Sequence, residues 1–329
     1  MNTRKKMAKF SRLVLGRSSP LPEDIQIEIT NRCDLACGMC PRDHLAVPVK
    51  DMPLDVFEKI VKRIPQADFV TLAGWGEPLM HPEFTELVKV LNRTLPDAMV
   101  KFTTNGMRLD QETAERVLER TIEQVSFSID DFPGGPEEPD GGIGHTDGTK
   151  AVENVLEFIW LKGERPRPRI VLVSVMQKNG EDRVERLIRF AGKHLVDSVT
   201  LVRLDVRHGG IVRPSWEEER DMLRAARRLA DELNVSLFCA NEQGPILRTA
   251  GHFDRVCLRT DNSVYIDVEG NVAPCCNLRR ERFGNILETE LGAIWKGREF
   301  RRFRARQLKE CGGCDALKYR YHHGEGDAG

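Results

Sequence analysis

Nine cysteines stand in a chain of 329 residues, and eight of them form two groups whose spacing suits metal chemistry. The first reads Thr30-Asn31-Arg32-Cys33-Asp34-Leu35-Ala36-Cys37-Gly38-Met39-Cys40-Pro41, three thiols in a C-x3-C-x2-C run on one loop. Three ligands are one short of a closed zinc site, whereas an iron–sulfur cube held by three thiolates leaves one iron open to a small molecule. The second group comprises Cys257, the pair Cys275-Cys276 and the run Cys311-Gly312-Gly313-Cys314. Four well-placed thiols can close a site, and C-x2-C with two further thiols suits zinc as well as a cluster. The odd count, with no apolar export segment behind the basic N-terminus, predicts a reducing, cytoplasmic setting. In such a compartment close-set cysteines hold metals or do chemistry more often than they pair.

The elements that must position these thiols show in the hydrophobic pattern. Short β-branched runs at 24–30, 69–73, 99–103, 125–130, 170–176 and 199–204 alternate with amphipathic helical stretches at 53–64, 82–95, 111–120, 148–161 and 182–194. Alternation of this kind implies parallel strands joined by right-handed crossovers, and six such units make an open or partly closed barrel. Chemistry then belongs at the C-terminal ends of the strands. The first cysteine loop directly follows the first strand, which is such a place. After residue 204 the pattern changes to a charged helix at 216–233, a short strand at 235–239 and a hairpin at 263–274.

On that loop and its place after the first strand, the chain resembles the radical S-adenosylmethionine (radical SAM) superfamily, over about residues 24–210. The resemblance implies an α/β fold with a partial (β/α)6 barrel, and a 4Fe–4S cluster on Cys33, Cys37 and Cys40 that binds S-adenosylmethionine. Met39 takes the usually aromatic position near the adenine. Gly74-Trp75-Gly76-Glu77-Pro78 is similar to the family segment that receives the methionine ammonium, which points to Gly76, Glu77 and Pro78. Thr103-Thr104-Asn105-Gly106 and Ser126-Phe127-Ser128-Ile129-Asp130 close the third and fourth strands, where Asn105, Ser128 and Asp130 would contact the cofactor. Singly, each of these is an ordinary turn or helix start. The second group, with Phe283-Gly284-Asn285-Ile286 and Ile294-Trp295, resembles the Twitch form of the SPASM domain. That match implies a second, auxiliary 4Fe–4S cluster on Cys257, Cys275, Cys311 and Cys314. Cys276 would point away from it, and Cys239 would be a buried apolar thiol.

Family chemistry then implies reductive cleavage of S-adenosylmethionine to a 5'-deoxyadenosyl radical that removes a substrate hydrogen. With the auxiliary cluster as electron acceptor, the expected outcome is two-electron oxidation of a small molecule by an oxidoreductase. The alternatives are radical maturation or crosslinking of a ribosomal peptide or protein, and a non-catalytic iron–sulfur, zinc or electron-transfer protein. Only about 23 residues precede the first strand, which favours the small molecule over a peptide. An external reductant such as flavodoxin or ferredoxin is expected as partner. Arg203 and His208 are the candidate catalytic residues, with Asp205 and Arg207 beside them and His145 and Asp147 in the loop 133–148 as possible substrate contacts.

Composition excludes other classes. Fifty basic against 51 acidic residues leave a net charge of -1, so no draw toward nucleic acid follows. No apolar stretch approaches the ~18 residues that cross a bilayer. The predicted organisation is a basic N-terminal tail at 1–23, the barrel at 24–210, a helical linker with an extra strand at 211–250, and a hairpin-plus-helix auxiliary cluster domain at 251–329.

Overall fold

The computed structural model describes residues 19–40, 42, 47–130, 148–194, 196–203, 214–239, 258–306 and 311. Each β-branched run becomes a strand in one mostly parallel sheet. β1 (Asp24–Ile27), β2 (Phe69–Leu72), β3 (Met99–Thr104), β4 (Gln124–Ser128), β5 (Arg169–Met176) and β6 (Ser198–Arg203) are neighbours in chain order. β7 (Leu237–Cys239) joins β6 in parallel, and at the opposite edge β8 (Ser263–Ile266) joins β1 in parallel and β9 (Val272–Ala273) antiparallel. The nine strands therefore run β7-β6-β5-β4-β3-β2-β1-β8-β9, an open α/β barrel segment.

Strand register separates two faces. Gln26, Thr71, Lys101 and Gln124 stand side by side across β1 to β4 and are half-buried, while Ile27, Leu72, Phe102 and Val125 alternate with them and are fully buried against helices. A period of two thus gives the sheet a polar concave face and an apolar convex one.

Helices cover the apolar face with stripes at three- and four-residue spacing. α1 (Leu54–Lys62) buries Phe57, Ile60 and Val61, and α2 (Phe84–Thr94) buries Phe84, Leu87, Val88 and Leu91. α3 (Gln111–Leu118) starts at Asp110, whose carboxylate accepts from the Thr113 amide. α4 (Gly148–Lys162) brings Phe158 edge-on to Phe127 of β4, 5.7 Å between centroids. α5 (Glu181–Lys193) buries Val184, Leu187, Ile188 and Ala191. Each such side chain contributes roughly 1.5–3 kcal/mol by leaving water.

Two features differ from the sequence expectation. The repeat does not stop after residue 204: α6 (Trp216–Glu232), started by a Ser215–Glu218 capping box, packs on α5 and delivers the chain to β7 as one more strand–helix unit. Its charge concealed a buried stripe of Glu219, Met222, Leu223, Ala226 and Ala230. The hairpin of β8 and β9, entered through α7 (Leu258–Asn262), is also no detached unit, because β8 pairs with β1 along its whole length. α8 (Leu291–Lys296) and α9 (Arg298–Ala305) follow it, and Phe283, Trp295, Phe300 and Phe303 pack as an aromatic cluster.

Candidate functional site

The cysteine loop leaves the C-terminal end of β1 and is braced at its root. Thr30 forms a bridge with Asp51, its hydroxyl donating to the Asp51 carboxylate at 2.6 Å, and Arg32 pairs with the same carboxylate at 2.6 Å. Asn31 donates to the Pro48 carbonyl and accepts from the Lys50 amide. Farther along, Asp34 accepts from Asn105 Nδ2 at 2.9 Å and from Arg108 Nε at 2.8 Å. Burial would raise the Asp34 carboxyl, but these two donors overcome it and hold it below the usual range. Arg42 donates to the Leu35 carbonyl and the Cys40 amide to the Cys37 carbonyl, which fold the loop back on itself.

Cys33, Cys37 and Cys40 are half-buried on this loop, as is Met39. Asn105 Nδ2 lies 3.9 Å from Cys33 Sγ. Burial pushes the Cys33 thiol up, and pushes Cys37 up to about 11 with Asp130, Cys40 and Cys33 adding to the effect.

The loop after β2 supports the first from below. Gly76 passes so close that a side chain there would meet the Thr30 and Arg32 carbonyls at 2.3 and 2.6 Å, so only glycine fits. The Glu77 amide donates to the Arg32 carbonyl at 2.7 Å. The Glu77 side chain is 2% exposed and accepts from the Leu79 and Asn105 amides at 3.0 and 2.7 Å. Burial raises its pKa to about 7 against those two donors. Pro78 is buried at the first position of the following turn. Asn105 directly follows β3, Ser128 ends β4 half-buried, and buried Asp130 accepts from the Val175 amide at 2.7 Å. These groups therefore gather at one end of the sheet.

Arg203 does not join them. Its register partner is Met176, on the apolar face, and its side chain is 1% exposed between sheet and α6. There it meets Glu219 at 2.6 Å and lies 3.3 Å over the Trp216 ring. This corrects the catalytic assignment: the alternation of β6 turns Arg203 away from the concave face, and the guanidinium anchors α6. His208, Asp205, Arg207, His145 and Asp147 lie outside the described residues.

Of the second group, Cys275 and Cys276 are half-buried at a turn after β9 and Cys311 is buried against Phe303. Cys257 and Cys314 lie outside the described residues. Cys239 is half-buried on the edge strand β7 rather than buried. Between the groups stands a feature that sequence reasoning missed. Glu28, fully buried at the end of β1, holds Arg279 at 2.9 and 3.2 Å and accepts from the Trp75 amide at 2.8 Å. The Trp75 indole donates to the Cys276 carbonyl at 3.2 Å.

Comparison with known proteins decides what this arrangement is. Residues 27–134 match the radical SAM superfamily, and residues 257–315 match the iron–sulfur cluster-binding SPASM domain. The chain is a radical SAM enzyme with a C-terminal SPASM domain. It is 25% identical over 310 residues to a tungsten-containing aldehyde ferredoxin oxidoreductase cofactor-modifying protein of Pyrococcus furiosus, covering 85% of this chain and 82% of that one. It is 24% identical over 319 residues to a PqqA peptide cyclase of Xanthomonas axonopodis pv. citri, covering 90% and 81%. The fold matches Streptococcus suis SuiB bound to precursor peptide SuiA with a TM-score of 0.71, at 15% identity over 96% of this chain and 74% of that one.

A radical SAM domain works with a 4Fe–4S cluster and S-adenosylmethionine, and a SPASM domain with auxiliary iron–sulfur. The residues of this radical SAM enzyme fit such groups. Thiols whose ionisation is opposed by burial and by one another need a positive partner to stand as thiolates, and iron provides it. Among the described residues no three thiol, imidazole or carboxylate groups converge on a point suited to one ion. A cube takes one thiolate on each of three irons and leaves the fourth open, and Cys33, Cys37 and Cys40 on one loop supply that number. No helix among the described residues is long and apolar enough to cross a membrane.

Proposed function

We propose that this radical SAM enzyme modifies a peptide or protein substrate, with Cys33, Cys37 and Cys40 holding the catalytic cluster and Cys257, Cys275, Cys311 and Cys314 the auxiliary one. The observation that carries the substrate class is the likeness to a peptide cyclase over 90% of the chain. It moves the peptide ahead of the small molecule that the sequence alone favours. When bound, the cluster and S-adenosylmethionine supply a 5'-deoxyadenosyl radical that takes one hydrogen from the substrate.

The chain's own residues prepare that step. Asn105 and Asp34 fix the cysteine loop, and the Asn105 amide group offers an N–H to the Cys33 sulfur, which stabilises its negative charge. Glu77 and the carbonyls of the glycine-rich turn around it are acceptors for the methionine ammonium, and that cation beside Glu77 would draw its raised pKa back down. Ser128 and Asp130 stand at the next strand end for the polar parts of the same cofactor, while Met39 offers a soft apolar surface to the adenine. The concave face beneath, with Gln26, Thr71 and Gln124, is where a substrate side chain would be held close and oriented.

The test is anaerobic reconstitution of the full chain, followed by incubation with S-adenosylmethionine, dithionite and the short peptides encoded beside its gene. A peptide that loses two hydrogens by mass spectrometry, together with 5'-deoxyadenosine, is the expected result. The Cys33→Ala, Cys37→Ala, Cys40→Ala variant should form neither product. Cleavage with every peptide unchanged, and a small hydroxylated metabolite oxidised instead, would return the small-molecule reading.

A further inference from the structure

α9 has two unlike faces. Phe300 and Phe303 turn inward, and Phe303 packs on the buried Cys311 together with Leu278 and Phe283. Arg298, Arg301, Arg302 and Arg306 fall at three- and four-residue spacing on the opposite face and are exposed, as is Lys296 just before the helix. Glu299 is the single acid within this stretch, and it pairs with Arg298 at 3.3 Å while Arg298 stays 85% exposed. Among the described residues, Lys296, Arg301, Arg302 and Arg306 have no ion-pair partner.

This cluster stands out against a chain with a net charge of only -1. On α5 and α6 arginines are interleaved with acids. On α6, Arg220, Arg224 and Arg228 alternate with Glu217, Asp221 and Asp231, and Arg224 pairs with Asp221. A solvated helix face gains stability and solubility from mixed charge, so a short face on which Glu299 meets only Arg298 and leaves Arg301, Arg302 and Arg306 without an acid carries self-repulsion that an anionic partner would relieve.

We infer that the arginine face of α9 is the docking surface for an acidic one-electron carrier protein that exchanges electrons with the auxiliary site. This rests on the reading of Cys275 and Cys311 as auxiliary-cluster ligands. The geometry favours a redox partner over another polyanion because the same helix presents arginine outward and touches Cys311 inward. A carrier seated there is separated from that thiol by about one helix thickness, ~10–12 Å. Guanidinium groups suit carboxylate-rich surfaces, and steering by such a patch raises association rates by about 10- to 1000-fold at low salt. In the step itself the reduced carrier loses one electron and the auxiliary cluster gains it; no bond or proton moves.

The experiment uses the anaerobically reconstituted full chain, an Arg298→Glu, Arg301→Glu, Arg302→Glu variant, and a matched Arg220→Glu, Arg224→Glu, Arg228→Glu control on α6. Reduced flavodoxin is the probe carrier and dithionite the small reductant, with cluster bleaching followed by stopped flow and oxidised, labelled flavodoxin binding followed by anisotropy. The α9 variant should bind flavodoxin and be reduced by it at least ~10-fold more weakly than wild type, with a flatter salt dependence, and be reduced by dithionite at the wild-type rate. The α6 control should behave as wild type. Equal losses in the two variants would overturn the proposal, as would tight α9-dependent binding of an RNA oligomer or a glutamate-rich peptide with flavodoxin kinetics unmoved. An iron count of about four rather than eight would instead remove the auxiliary-cluster reading, and anisotropy would still show whether α9 captures the carrier.

Discussion

Glu77 is the residue whose chemistry is most dependent on its surroundings. In an unfolded chain it ionises near 4.5, whereas burial holds its proton until about 7 in the folded protein despite donors from Leu79 and Asn105. The folded state therefore binds more protons than the unfolded state between those values, and stability falls as pH rises through that window. The effect amounts to roughly 3 kcal/mol, fully present below pH ~4.5 and lost above ~7. Glu77→Gln should remove this slope: in urea unfolding of the cluster-free chain, wild type and variant should differ in pH dependence between 5 and 7.5 and run parallel outside it. Parallel curves throughout would mean that Glu77 is not buried as described. Residues of this kind were legible in part. Glu77 and the cysteines stand in recognisable local spacings, but Asp34, Arg108, Glu28 and Arg279 act through partners 74 and 251 positions away, and no local pattern records such pairs.

Element by element, strands were readable because β-branched runs keep a period of two, and helices because apolar residues recur every three or four. The error over Arg203 lies in the use of that same period. Val199, Leu201 and Arg203 share one phase of β6, and the first two are fully buried, so the arginine had to follow them under α6. Only its charge argued for the open face, and that charge is matched by Glu219, an acid that interrupts an otherwise apolar stripe. The pair predicts a structural phenotype. Arg203→Met should destabilise the protein by about 3–5 kcal/mol because it leaves the Glu219 carboxylate buried without the guanidinium. Adding Glu219→Leu should recover most of that loss. Iron content and 5'-deoxyadenosine formation of the reconstituted enzyme should be unchanged at a temperature where the variant is folded. Loss of cleavage with stability intact would restore Arg203 as a catalytic residue.

For the whole molecule, the boundary between barrel and SPASM module is sequential rather than structural. The sheet continues from β1 into β8, the Trp75 indole reaches the Cys276 carbonyl, and the Trp295 indole reaches back to the Ser19 carbonyl at 2.8 Å. The Glu28–Arg279 pair lies in the same seam, where burial raises the Glu28 carboxyl and Arg279 opposes the rise. Removing β8 would strip β1, the strand that carries the cysteine loop, of its partner and leave it as an open parallel edge, and removing Arg279 would leave a buried carboxylate behind. A chain cut after residue 257 should therefore fail to fold as a barrel rather than behave as a smaller stable domain. Within the full chain, Arg279→Leu should cost about 3–5 kcal/mol, and Glu28→Leu with Arg279→Leu distinctly less than that. Tryptophan fluorescence and far-UV circular dichroism should report a single coincident urea transition for the intact protein, since Trp75 lies at the seam and Trp295 packs in the module that β8 ties to the barrel. Two separated transitions, with a folded 1–257 fragment matching the second, would show that the modules are independent and that the continuous sheet contributes little to stability.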